Sequence, residues 1–126
     1  MDQGTLVKDD VAEGAKLISA LDASGFEVSS ALWLYSSEHE DWRLIIATPL
    51  VDKEGPRATY RMVQRVLRKT GLNLDLRRIG VVSPSDSLIQ VLRRAIKTDS
   101  GISNIRFSRN VVDGIYIEDA VLYRVQ

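Results

Sequence analysis

The fold is indicated most strongly by residues 31–47, which read ALWLYSSEHEDWRLIIA. Two runs, residues 31–35 and 42–47, are rich in aromatic, aliphatic and β-branched side chains and flank a polar loop, which is typical of two strands joined by a turn. Both runs are apolar on both faces, whereas a hairpin with one face in water alternates apolar and polar residues. The pattern therefore places these strands at the centre of a sheet, or places one of their faces against a partner.

Helical and strand-like segments alternate around this hairpin. Residues 9–24 repeat apolar side chains every three or four positions, which predicts an amphipathic helix. A second helix begins at Pro56 and ends at Gly71, and a third covers residues 87–97. Three more strands are predicted, at residues 77–82, 105–109 and 115–125.

The element order αββαβαββ predicts one α+β domain over residues 1–126, with a mixed five-stranded sheet and three helices. Residues 1–8 are expected to be loosely ordered, as chain ends often are. Because helices join strands two, three and four, those connections favour parallel crossovers, whereas the first and last strand pairs are hairpins.

The last predicted strand has a charged residue on its apolar face. Its alternation puts one set of apolar residues on a single face: Ile115, Ile117, Val121, Tyr123 and Val125. Asp119 falls on the same face. Either a bulge near Glu118 and Asp119 resets the register, or the carboxylate of Asp119 points toward the core.

Composition excludes several classes of protein. The 126 residues contain no cysteine, which removes disulfide frameworks, thiolate zinc sites, iron–sulfur clusters and cysteine nucleophiles. No apolar run approaches the ~20 residues of a membrane span, so no membrane partner is expected. The first residues do not resemble a secretion signal, so the cytoplasm is the expected location. The standard motifs for phosphate loops, dinucleotide sites, zinc proteases and serine hydrolases are absent, so neither catalytic residues nor cofactors are predicted.

Charge is distributed unevenly along a chain whose formal net charge is zero. Residues 1–55 hold eleven acidic and four basic side chains, a net charge of −7. Residues 56–126 hold six acidic and thirteen basic side chains, a net charge of +7. Such asymmetry between the two halves of a chain is typical of an interaction surface.

The second predicted helix carries the most ordered polar feature. Its basic residues repeat along one face for about 17 Å, without an acidic residue between positions 57 and 70. The candidates for contact with a partner or with phosphates are Arg57, Arg61, Arg65, Arg68 and Lys69, followed by Arg77 and Arg78. Such a row can contact a nucleic-acid backbone or an acidic protein surface, including a second copy of the chain, or it can simply face water.

Three aromatic residues of the hairpin, Trp33, Tyr35 and Trp42, are candidates for an interface. The alternative for these side chains is packing in the chain's own core. Glu118 and Asp119 interrupt an apolar strand and are the best carboxylate pair for a weak divalent-metal site. Their alternative is a bulge in water, or an ion pair with an arginine on a neighbouring strand.

These observations predict an interaction domain without catalytic activity that self-associates into a homo-oligomer or binds another protein partner. The main alternative is a nucleic-acid-binding protein that uses the helix of residues 57–69. A third hypothesis is a metal-dependent phosphodiesterase built on Glu118, Asp119 and a third carboxylate.

Overall fold

Five strands and four α-helices make up the part of the chain that the computed structural model describes, which is residues 6, 8–38 and 40–126. The helices are α1 (Lys8–Ala23), α2 (Leu50–Glu54), α3 (Pro56–Thr70) and α4 (Ser87–Ala95). The strands are β1 (Ser30–Ser36), β2 (Asp41–Ala47), β3 (Ile79–Val82), β4 (Ile105–Val112) and β5 (Ile115–Val125). The predicted α+β class is confirmed, and the short helix α2 is an addition to the three helices that were predicted.

β1 is the central strand of the sheet, whose order is β3-β2-β1-β5-β4. β2 and β5 both pair with β1 in the antiparallel direction, and β3 runs parallel to β2. The parallel connection predicted between the third and fourth strands is wrong. β4 lies at the opposite edge from β3 and pairs with β5 in an antiparallel hairpin, because α4 carries the chain across one whole face of the sheet.

Local signals set the ends of the longer helices. Pro56 occupies the start of α3, where its missing N–H has no helical partner to lose, and Gly71 ends the helix in the left-handed conformation with φ 67°. α4 is capped by Asp86, whose Oδ1 accepts a hydrogen bond from the Leu88 N–H at 3.0 Å.

Both faces of the sheet are covered by the chain's own helices, which explains why the central hairpin is apolar on both sides. One cluster joins α1 and α3 to the face that carries Trp33 and Leu44. The other joins α4 to the face that carries Leu32 and Leu122. A partner is therefore not needed to account for the apolar pattern of β1 and β2.

The apolar residues of β5 divide between the two faces of the sheet, so the predicted single apolar face of that strand is wrong. Ile117 belongs to the cluster under α4, whereas Val121 lies in the cluster under α1 and α3. In the ladder between β4 and β5, Arg109 has a φ of 51° and takes no regular pair. The pairs on both sides of Arg109 keep the same register, so β4 and β5 have no bulge at Glu118 and Asp119, and the bulge predicted there is wrong. The register shift of β5 lies against β1, between the pairs Ala31–Arg124 and Leu32–Leu122.

A buried chain of hydrogen bonds ties α1 to the centre of the sheet. The Trp33 Nε1–H donates to the Tyr123 hydroxyl at 2.8 Å, and that hydroxyl donates to the Val11 carbonyl at 2.6 Å. Burial raises the pKa of Tyr123 to about 12, although the hydrogen bond from Trp33 acts in the opposite direction. The folded chain therefore holds this phenol protonated at pH values where an unfolded chain begins to ionise it.

We expect this phenol to make the chain less stable at alkaline pH. The contribution is complete below the ordinary pKa of 10.0 and is lost as the pH rises toward the folded value of about 12. Urea unfolding across this range is expected to show a smaller decline for Tyr123→Phe than for the wild type, although the variant is less stable at neutral pH. Parallel declines in the two proteins would contradict the assignment.

The expected disorder of residues 1–8 concerns mainly residues 1–5 and 7, which lie outside the described residues, whereas Lys8 is already the first residue of α1. Across residues 6, 8–38 and 40–126, no helix has both the length and the apolar character that a bilayer span requires.

Candidate functional site

α3 places its basic residues on the face that points away from the sheet. The inward face buries Thr59, Val63, Val66 and Leu67, which recur at helical spacing. The outward face of the helix carries five exposed basic residues: Arg57, Arg61, Arg65, Arg68 and Lys69. We call these five residues the basic face of α3. The predicted row of cations is therefore present on the surface, on a single helix of 15 residues.

The basic face is not neutralised by ion pairs with acidic side chains of the described residues. The ion pairs within the described part of the chain involve other cations, namely Lys16, Arg77, Arg78, Arg94, Arg106 and Arg124. None of them joins the basic face to an acidic side chain of residues 6, 8–38 or 40–126. Unneutralised cations four residues apart repel each other along a helix, so an anionic partner that approaches this face relieves that repulsion.

Arg77 and Arg78 differ from the basic face because each has an acidic partner. The Arg77 guanidinium contacts Asp75, with Nη2 2.7 Å from Oδ2, and these hydrogen bonds lower the pKa of Asp75 to about 2. Arg78 Nη1 lies 3.2 Å from Asp10 Oδ1, and its guanidinium carbon lies 4.8 Å from the centre of the Trp33 ring. The structure thus separates these two arginines from the five with which the sequence grouped them.

The aromatic interface candidates lie mostly inside the chain. Trp33 is 0% exposed and Trp42 is 2% exposed, and both belong to the cluster under α1 and α3. Tyr35 is half-buried, and its ring centre lies 5.5 Å from that of Trp42. The prediction of an aromatic interface at this hairpin now depends on Tyr35, since the two tryptophans present no surface to a partner.

Glu118 and Asp119 line the same surface pocket, together with Arg106 and Arg109. Asp119 accepts hydrogen bonds from Arg106 on β4, with Nε 2.6 Å from Oδ1 and a second, shorter contact from Nη2 to Oδ2. Glu118 keeps one buried oxygen, Oε2, without a hydrogen-bond partner in the described structure. Among the residues that the structure describes, no group of three or more potential ligands is placed to hold a metal ion. Asp119 therefore forms an ion pair with an arginine on a neighbouring strand, which is one of the alternatives that the sequence left open.

A cavity of about 400 Å³ with both apolar and basic side chains in its walls opens directly beside the basic face. Its walls come from α3, from the start of α2 and from the turn that follows α1: Ser24, Gly25, Phe26, Leu50, Met62, Arg65, Val66 and Lys69. Sequence reasoning missed this cavity, because its walls come from three segments whose proximity depends on how α1 and α3 pack. The only local signal was that Met62 and Val66 flank Arg65 on the same helix.

Comparisons of the chain with protein-family models, with curated proteins and with solved structures found no match. The basic face and the cavity beside it are therefore the features from which a function can be inferred.

Proposed function

We propose that this chain is a binding domain that docks on an acidic surface of a protein partner through the basic face of α3. The observation that carries the proposal is the row of five exposed cations without an acidic partner among the described residues. A guanidinium forms paired hydrogen bonds with a carboxylate, so four arginines in a row suit a surface rich in aspartate and glutamate.

Three observations favour a protein partner over a nucleic acid. The cavity beside the basic face is lined by apolar side chains such as Phe26 and Met62, and a phosphate backbone has no apolar group to place there. Base stacking needs exposed aromatic rings near the cations, whereas Trp33 and Trp42 are buried and the exposed Tyr116 lies on β5. The net charge of zero also differs from the basic character that is usual in nucleic-acid-binding domains.

Self-association is the alternative that stays closest to this proposal. A second copy offers exposed acidic residues in the turn between β1 and β2 and at the first position of β2, namely Glu38, Glu40 and Asp41. This turn is short and polar, so in a dimer of this kind it supplies charge but no large side chain for the cavity. We therefore propose a different acidic protein as the partner and treat a second copy as an outcome of the test.

Charge reversal on α3 tests the proposal. The probe is fluorescein-labelled poly-L-glutamate at low ionic strength, followed by fluorescence anisotropy. Arg61→Glu/Arg65→Glu is expected to weaken binding about tenfold or more, because two attractive contacts become repulsive. The affinity of the wild type is expected to fall as salt is added, since exposed charges are screened.

The matched control is Lys16→Glu/Lys97→Glu, which makes the same change in net charge at exposed positions outside α3. It is expected to bind within about twofold of the wild type, because neither lysine belongs to the basic face. Equal losses of affinity in both variants would show that only net charge matters and would overturn the proposal.

Two other outcomes would assign the basic face differently. Tighter binding of duplex DNA than of poly-L-glutamate would assign the basic face to nucleic acid. A dimer in sedimentation that dissociates on Arg61→Glu/Arg65→Glu would assign it to self-association.

A further inference from the structure

We infer that the cavity beside the basic face receives one large apolar side chain from the acidic partner. The partner segment then carries a leucine, methionine or phenylalanine flanked by aspartate or glutamate. This inference rests on the proposed function, and it adds an apolar anchor that a purely charged surface lacks.

The floor of the cavity is suited to an apolar anchor. Phe26 is 6% exposed and Val66 is 8% exposed, and both belong to the core cluster under α1 and α3. Leu50 and Met62 are half-buried and pack against the same cluster. An apolar side chain that enters the cavity leaves water and contacts residues of the packed core. Anchor residues at protein interfaces usually bind in pockets of this kind.

The basic residues at the rim of the cavity favour acidic residues next to the anchor in the partner. Arg65 and Lys69 line the cavity, are both exposed and stand one helical turn apart on the basic face. Carboxylates beside the anchor therefore meet these cations while the apolar side chain fills the space below them. The charge and the apolar surface belong to one continuous site, because Met62 and Val66 lie on the same helix as Arg65 and Lys69.

The test uses two labelled peptides that are rich in glutamate and differ only at the central residue, which is phenylalanine in one and serine in the other. The wild type is expected to bind the phenylalanine peptide about tenfold more tightly, as burial of a large apolar side chain predicts. Met62→Trp, which fills the cavity from α3, is expected to reduce this ratio toward one. Ser24→Trp fills it from the opposite wall and provides a second reading if Met62→Trp fails to fold.

Each outcome decides the inference. Equal affinity of the wild type for the two peptides overturns it, and so does a preference for phenylalanine that survives in both filled variants. Displacement of the phenylalanine peptide by decanoate, with direct binding of decanoate that Met62→Trp abolishes, would instead assign the cavity to a free fatty acid. If the peptides bind equally but Arg61→Glu/Arg65→Glu still weakens both, the proposed function stands without the anchor. If that variant weakens neither peptide, the proposed function fails as well.

Discussion

Gly14→Ala is expected to lower the free energy of unfolding by about 2–4 kcal/mol, although the same change stabilises an ordinary helix by about 1 kcal/mol. A Cβ at Gly14 would lie 2.8 Å from Trp33 Nε1 and still closer to the Tyr123 hydroxyl oxygen. Trp33 and Tyr123 are 0% and 1% exposed, so neither side chain has free space into which it can move. The added methyl group therefore pushes α1 away from the sheet or breaks the buried hydrogen bond between the two rings.

Urea unfolding at neutral pH measures this effect. Ser19→Ala, an exposed substitution on α1, is the control and is expected to change stability by less than about 0.5 kcal/mol. Tyr123→Phe in the Gly14→Ala background is expected to recover part of the loss, because it removes the hydroxyl that the new methyl group meets. A Gly14→Ala protein as stable as the wild type would show that α1 does not approach the sheet so closely.

The parts of the fold that depend on local physics could be predicted from the sequence. Pro56 and Gly71 bound α3 because each has a backbone preference that neighbouring residues do not alter. The exposure of Arg61 and Arg65 followed from the same periodicity that buries Val63 and Val66, since one helix presents both faces.

The order of the strands could not be predicted in the same way. A helix between two strands favours a parallel neighbour, and β2 and β3 follow that rule. β4 does not, because its hairpin with β5 fixes its position at the far edge, and β5 is itself held by β1. β1 and β5 are far apart in the sequence, and no periodic pattern in either strand shows that the two pair with each other. The missing pair at Arg109 also makes the face of each β5 residue hard to predict.

The candidate site could likewise be predicted only where it depends on local sequence. The repeat of cations on α3 is a local pattern, so the basic face could be predicted. The neutralisation of Arg78 could not, because its partner Asp10 lies 68 positions earlier in the chain. The cavity depends in turn on the distance between α3 and the turn at Phe26, which only the packed helices determine.

Asp22→Ala is expected to destabilise the chain by about 2–3 kcal/mol, because it leaves a buried guanidinium without its carboxylate. Arg124 is 4% exposed, and its Nη1 and Nη2 lie 3.0 Å and 2.8 Å from the two carboxylate oxygens of Asp22. The same guanidinium donates to the carbonyls of Val28 and Gly101, so it joins the end of α1 to two loops. We place the effect below that of a fully buried pair, since the Asp22 side chain is 39% exposed.

Urea unfolding of Asp22→Ala is compared with that of Lys16→Ala, which removes an exposed pair on the same helix. Lys16 Nζ lies 3.7 Å from Glu13 Oε1 with its side chain 65% exposed, so its loss is expected to cost less than about 0.5 kcal/mol. Arg124→Met in the Asp22→Ala background is expected to restore part of the lost stability, because an uncharged side chain needs no carboxylate, although the carbonyls of Val28 and Gly101 still lose their donor. If Asp22→Ala costs no more than Lys16→Ala, solvent already screens the Arg124 guanidinium and the pair does not hold α1 to the loops.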